Sequence, residues 1–160
     1  MGSIAAVSVP VDGRQSPTAL LVARGTQRLL LALGHACVCE LPLASGRRAD
    51  LVALRHDGEI WIVEIKSSIE DFRVDQKWPE YRLHCDRLYF ATAAHVPAEI
   101  FPQDAGLIVA DAYGGELLRE APEHRLHAST RRSMMLAFAR AAARRLQALA
   151  DPQGPYGEQV

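Results

Sequence analysis

The segment RRADLVALRHDGEIWIVEIKSS, residues 47–68, constrains the fold more than any other part of the chain. Two arms rich in Val, Ile and Leu flank Asp57-Gly58, among the strongest hairpin turn signals, and predict an antiparallel β-hairpin. With that turn, residues whose numbers sum to about 115 lie opposite one another. The two-residue period puts Ile60, Ile62, Glu64 and Lys66 on one face of the second arm, and Trp61, Val63 and Ile65 on the other. Asp50 shares its face with Val52 and Leu54 and sits across from about Ile65, between Glu64 and Lys66. Three charges thus gather at one end of an otherwise buried strand pair. An unpartnered buried charge costs several kcal/mol, so these groups either balance one another or do chemistry.

Across the strands the two carboxylates would lie roughly 5 Å apart, close enough to share one divalent ion. Without a cation between them they repel, and one pKa rises. Mg2+ (or Mn2+) suits such a pair, because a hard cation takes a few oxygen ligands and keeps several waters. Water made more acidic by the metal can attack a phosphodiester. Lys66 would orient or deprotonate that water, or stabilise the charge developing on the phosphate. The plainer alternative is a sheet-edge salt bridge in which Lys66 satisfies Asp50 or Glu64, since most exposed ion pairs are solvated. The spacing D-x13-E-x-K, with apolar strand on both sides, favours a site.

Around the hairpin the pattern predicts a mixed α/β arrangement with helices packed on one sheet. The order is helix, three strands, helix, strand, short helix, two strands, helix. Ser16 is an N-cap and Pro17 a first helical residue for a helix that Gly34 stops, with Gly25 a soft point inside it. HACVCELPL reads as a strand. After Ser67-Ser68 a loop leads to a helix that starts near Trp78, with Pro79 in its first turn. DRLYFAT and AGLIVAD are further strands, GELLRE is the hairpin partner of AGLIVAD, and residues 129–150 form a long amphipathic helix. Residues 1–16 read as a flexible arm, 17–150 as a single domain and 151–160 as a disordered tail.

At 160 residues and 49% hydrophobic content the chain can bury one core. Eighteen basic against nineteen acidic side chains lower the expectation of tight non-specific nucleic-acid binding, while leaving room for a local basic face. No apolar run approaches the ~20 residues of a membrane span, and no export signal opens the chain. The expected setting is the cytoplasm, with no membrane partner. Cys37, Cys39 and Cys85 form an odd set, which fits reduced thiols. His35, Cys37 and Cys39 fall short of the four ligands of a zinc site, and C-x-C is unusual spacing for one.

Several further residues have two readings. Glu40, on the strand before Asp50, is either a third acidic ligand or an exposed edge residue. Asp71 completes a capping pattern from Ser68, and Asp75 pairs with Lys77 or Arg73; structure outweighs chemistry for both. Trp78 either stacks on an unpaired base or staples its helix to the sheet, and the staple is favoured. Arg131 and Arg132, with Arg144 and Arg145, either track phosphates or form a solvated face. His84, His95, His124 and His127 show no ligand spacing, and Met134-Met135 is core filler.

The stretch ADL…EIWIVEIKSS resembles the PD-(D/E)XK nuclease motif, with Asp50, Glu64 and Lys66 in the metal and lysine positions and Ala49 where the motif's proline stands. KWPEY is similar to the Q-x-x-x-Y of RecB-like members, with Lys77 in place of Gln and Tyr81 as the tyrosine. The run VEIKSSIEDFRVDQKWPEYRLHCDRLYFA resembles the signature of MmcB-type DNA-repair proteins within that superfamily, over about residues 19–148. The resemblance implies a restriction-endonuclease-like (PD-(D/E)XK) α/β core, a mixed β-sheet flanked by helices. It also implies a stand-alone domain acting on DNA in the bacterial DNA-damage response, at the nucleoid and alongside other DNA-repair proteins. Catalysis would then fall to Asp50, Glu64 and Lys66, with Mg2+ or Mn2+ held by Asp50, Glu64 and the backbone carbonyl of Ile65. Lys77, Tyr81 and Glu40 would support them, and Trp78, Arg131 and Arg132 would touch nucleic acid. A domain this small would hold a duplex best as a homodimer. The alternative is a nuclease fold that binds DNA or organises a complex with little activity of its own. The residues alone do not separate DNA from RNA.

Overall fold

The computed structural model describes residues 15–155, so most of the expected arm and half of the expected tail lie outside the described residues. Helix α1 spans Pro17–Ala32. Ser16 caps it, its Oγ accepting the amide N–H of Ala19 at 3.1 Å, with Pro17 in the first turn. Gly34 stands just past its end at φ +87°, a left-handed conformation that suits a residue without Cβ. Gly25 is not the soft point its type suggests. A Cβ there would collide with the carbonyl oxygens of Asp111 and Gly114, so glycine is what lets α1 lie against that turn.

Strands β1 (His35–Pro42), β2 (Arg48–Arg55), β3 (Ile60–Ile65), β4 (Arg87–Thr92), β5 (Gly106–Ala110) and β6 (Gly115–Arg119) form one mixed sheet in chain order. The pairs β1–β2, β2–β3 and β5–β6 are antiparallel, while β3–β4 and β4–β5 are parallel. In the β2–β3 hairpin Leu51 pairs with Val63 and Val52 with Ile62, one residue off the register that a two-residue Asp57-Gly58 turn would set. The loop is instead three residues, His56-Asp57-Gly58: the Arg55 amide donates to the Glu59 carbonyl, and Gly58 takes φ +91°. Continued to the strand ends, this register puts Asp50 opposite Glu64 rather than Ile65.

The sheet has a core on each side. Val22 and Leu30 of α1 pack on Leu51, Ala53, Trp61 and Val63. On the other face Met134 and Phe138 of α3 (Ala128–Ala150) pack on Val52, Ile60, Ile62 and Leu88. Met135, expected to share the core with Met134, points outward and is 39% exposed.

Between β3 and β4 the chain departs from the expected loop and single helix. Helix α2, Ile69–Val74, comes first, capped by Ser68, whose Oγ accepts the Asp71 amide N–H at 3.1 Å. Trp78–His84 is a 3-10 helix with Pro79 in its first turn. At three residues per turn, Lys77 and Tyr81 do not share a face in the way an α-helix would arrange. Trp78 meets Phe90 edge-on at 5.3 Å, with the Arg82 guanidinium 5.4 Å from its ring centre. These contacts are those of a staple that packs its helix on the sheet.

Candidate active site

Asp50 lies near the start of β2 and Glu64 near the end of β3, and backbone amides tie them across the strands. The Asp50 amide donates to Glu64 Oε1 at 3.1 Å, and the Ile65 amide donates to Asp50 Oδ2 at 2.8 Å. Glu64 is only 3% exposed, with Ile62 on the same strand face and Tyr81, which lines the same cleft, both in the apolar core. Burial raises the Glu64 carboxyl well above the usual carboxylate range, and the charge of Asp50 raises it further. Burial also raises Asp50, against the Ile65 amide and Lys66, which pull it down. Both carboxyls are thus raised by burial, Glu64 the more strongly because the Asp50 charge adds to it.

Lys66 leaves β3 into the same cleft but does not pair with either carboxylate. Its Nζ is 2.7 Å from Asp75 Oδ2, with the two side chains 8% and 19% exposed. Asp75 Oδ1 accepts the Lys77 amide N–H at 2.9 Å, which anchors this carboxylate at the start of the 3-10 helix. The Lys66 carbonyl in turn accepts the Thr92 hydroxyl at 2.6 Å. Burial pulls the Lys66 ammonium down, but the bond and charge of Asp75 outweigh it and its affinity for the proton is raised. The sequence pairs Asp75 with Lys77 or Arg73; the structure gives it Lys66, nine residues away through α2. No period links the two positions, so only the loop geometry reveals it.

A cleft of about 510 Å3 opens over these groups, lined also by Gln15, Ser16, Arg47, Ser67, Lys77 and Tyr81. The Tyr81 hydroxyl donates to the Arg48 carbonyl at 3.0 Å, so the ring walls the cleft and its proton is committed. Asp71 Oδ2 accepts the Ser67 amide at 3.0 Å, a local cap as expected. Arg47 Nε is 2.9 Å from Glu80 Oε2 at the rim. The side chain of Lys77 is exposed at the mouth.

Other candidates lie elsewhere. Glu40 sits at φ +49° and accepts Gln15 Nε2 at 2.9 Å, outside the lining of the cleft. Among the described residues no group of three or more His, Cys, Asp or Glu side chains is arranged to hold a metal, and Glu40 does not line the cleft with the pair. Arg131 is withdrawn from any nucleic-acid surface: its guanidinium makes two 2.7 Å bonds to Asp86, whose side chain is 1% exposed, and a third to the Gly58 carbonyl. Arg145 donates to the carbonyls of Cys39 and Glu40. Arg132 is exposed on α3, away from the cleft. The thiols of Cys37 and Cys85 are pushed up to about 12 by burial, which suits core packing and not metal binding. Among the described residues no helix is long and apolar enough to cross a membrane.

Asp50 and Glu64, with a carbonyl from Ile65, which lines the same cleft, would make an all-oxygen donor set. That chemistry fits Mg2+ or Mn2+, which need only one or two carboxylates and otherwise keep water. It does not fit zinc, which favours nitrogen and sulfur.

Residues 7–153 match a family model described as DNA repair protein MmcB-like. No curated protein matches the chain. Among solved structures, the SPO1766 protein of unknown function from Silicibacter pomeroyi is similar at 43% identity and a TM-score of 0.86, covering 91% of this chain and 99% of that one.

Proposed function

The chain belongs to the MmcB-like family of DNA repair proteins, and from that premise we propose that it is a metal-dependent DNA endonuclease with a PD-(D/E)XK core, hydrolysing phosphodiesters in damaged or structured DNA. The observation that carries this reading is the Asp50–Glu64 pair: two carboxylates, one half-buried and one buried, each held by an amide of the other's strand, in a cleft that also holds a charged lysine. A fold kept for packing alone gains nothing from such repulsion, whereas a cation between the two would relieve it.

Asp50, Glu64 and the Ile65 carbonyl would hold Mg2+ or Mn2+, which supplies Lewis acidity toward a water and the phosphate. Burial and Asp50 hold the Glu64 carboxyl up, so cation binding, which needs it ionised, should strengthen as pH rises. Lys66 is kept charged by Asp75, and its part is therefore electrostatic: it faces the charge that develops on the phosphate and does not abstract a proton. Lys77, at the mouth, receives the flanking backbone of the nucleic acid. On this reading the protein works in the cytoplasm, at nucleoid DNA.

A second reading, a DNA-binding or complex-organising module of weak activity, has one observation in its favour. Lys66 is engaged by Asp75, and each carboxylate already accepts an amide, so every one of these groups has a protein partner as it stands. One experiment separates the two. Purified protein is incubated with flapped, gapped, branched and single-stranded DNA and with RNA, in Mg2+ or Mn2+, beside Asp50→Asn, Glu64→Gln and Lys66→Ala. Metal-dependent cleavage of DNA by the wild type, lost in the variants while binding persists, is the expected result. Binding without cleavage of any substrate would leave the module reading in its place.

A further inference from the structure

Helix α3 presents an outer face that no described residue covers. Met135, Leu136, Leu146 and Leu149 are 39%, 54%, 68% and 51% exposed. Together with Ala139 and Ala143 they recur at helical spacing and form one stripe along the axis. Toward the start of α3 the stripe opens into a groove of about 560 Å3, lined by Arg125, Leu126, Arg132, Met135, Leu136 and Ala139 among others. An exposed apolar surface of this kind marks an interaction site.

Charge narrows the partner. Residues 124–150 include six arginines and no Asp or Glu. Arg131 is taken up by Asp86 and Arg145 by carbonyls of β1, leaving Arg125, Arg132, Arg140 and Arg144 around the stripe. A second copy of this chain packed face to face would set arginine against arginine with no carboxylate between them. DNA would match the charge but leave the apolar stripe facing phosphates. An anionic bilayer would meet a concave groove without the aromatic side chains that anchor interfacial helices. An amphipathic helix matches both features, and the small Ala139 and Ala143 allow its backbone close.

We propose that α3 docks an acidic amphipathic helix of a partner protein, whose apolar side chains fill the groove over Leu136 and Ala139 and whose carboxylates meet Arg132 and Arg140. This surface lies outside the cleft and stands independently of the nuclease reading.

The test is site-specific photo-cross-linking of the full-length protein in its own cells. Benzoylphenylalanine is placed at Leu136, at Ala143 as a second site, and at exposed Tyr113 as a control. The expected result is one partner segment captured from Leu136 or Ala143 but not from Tyr113, with Asp or Glu flanking apolar residues at three- and four-residue spacing. That segment, synthesised as a peptide, binds the purified protein. Arg132→Glu with Arg140→Glu, a variant shown to fold by circular dichroism, weakens it tenfold or more. The proposal is overturned by cross-links confined to the protein's own termini or a second copy, to DNA or to lipid. It is equally overturned by a captured segment without acidic residues, or by no cross-link from either site.

Discussion

Glu64 carries a charge problem that its protein neighbours do not solve. Burial, and then Asp50, hold its carboxyl well above the ordinary range. A folded-state value above the unfolded one means that the associated stability is complete below the ordinary carboxylate value and is lost as pH rises through the raised one. In EDTA, the urea midpoint of the wild type should therefore fall as pH rises above the ordinary carboxylate value, and that of Glu64→Gln should fall less. At the upper end of that rise the variant should be more stable by about 1 kcal/mol or more, since a tenfold change in proton affinity corresponds to about 1.4 kcal/mol. Mg2+ should raise the wild-type midpoint and leave the variant unmoved. Parallel pH curves would remove the buried-charge argument. Asp75 makes the complementary case. Asp75→Asn strands a buried ammonium and should cost about 3–5 kcal/mol in denaturant unfolding, and adding Lys66→Met should restore most of it. An additive double variant would mean that the pair is not coupled. Of these groups, Asp50, Glu64 and Lys66 are legible in the sequence because strand period and turn chemistry are local. Asp75 is not, because its partner is chosen by the path of α2.

At the scale of elements, one ion pair fastens α3 to the hairpin. Asp86 accepts amides from Ile60 and Leu126 as well as both Arg131 nitrogens. Burial alone would raise its carboxyl, but the Arg131 bond and those amides outweigh burial and lower it. A depressed folded value gives stability that is present above the ordinary carboxylate value and is lost as pH falls through the depressed one. Asp86→Asn should thus be destabilised near neutral pH yet lose less on acidification than the wild type, and Arg131→Met should cost about 3–5 kcal/mol. A surface arginine would cost a few tenths, which decides between packing and DNA contact for this residue. Gly25→Ala is the corresponding test for α1. Forced against the carbonyls of Asp111 and Gly114, the added methyl should lower stability by about 1–3 kcal/mol or more. The strands, their order and the end helices are readable from alternation, caps and turns. The 3-10 geometry of Trp78–His84 and the three-residue hairpin loop are not, because one hydrogen-bond step separates each from its alternative and tertiary packing makes the choice.

Taken whole, the molecule separates its two surfaces along the length of β3. The carboxylate cleft lies at the Glu64 end, while Arg131 fixes the start of α3 at Gly58, the opposite end of the hairpin. With a net charge of −1 the chain has no general attraction for DNA, so on the proposed function its DNA contacts would come from the few cations at the cleft. If Lys66 and Lys77 are the phosphate contacts, log K should fall with log salt at a slope of about −2, since each neutralised phosphate contributes about 0.9. Lys77→Ala should reduce the steepness by about 1 and weaken binding alike across sequences. Arg132→Glu should leave the slope where it was, because α3 faces a protein and not the duplex. Titrations by fluorescence anisotropy across a salt series, with a catalytically silenced Glu64→Gln background to keep the DNA intact, read both quantities at once. Should Arg132→Glu flatten the slope as Lys77→Ala does, the duplex runs along α3, and the assignment of its arginines to an acidic helix fails with it.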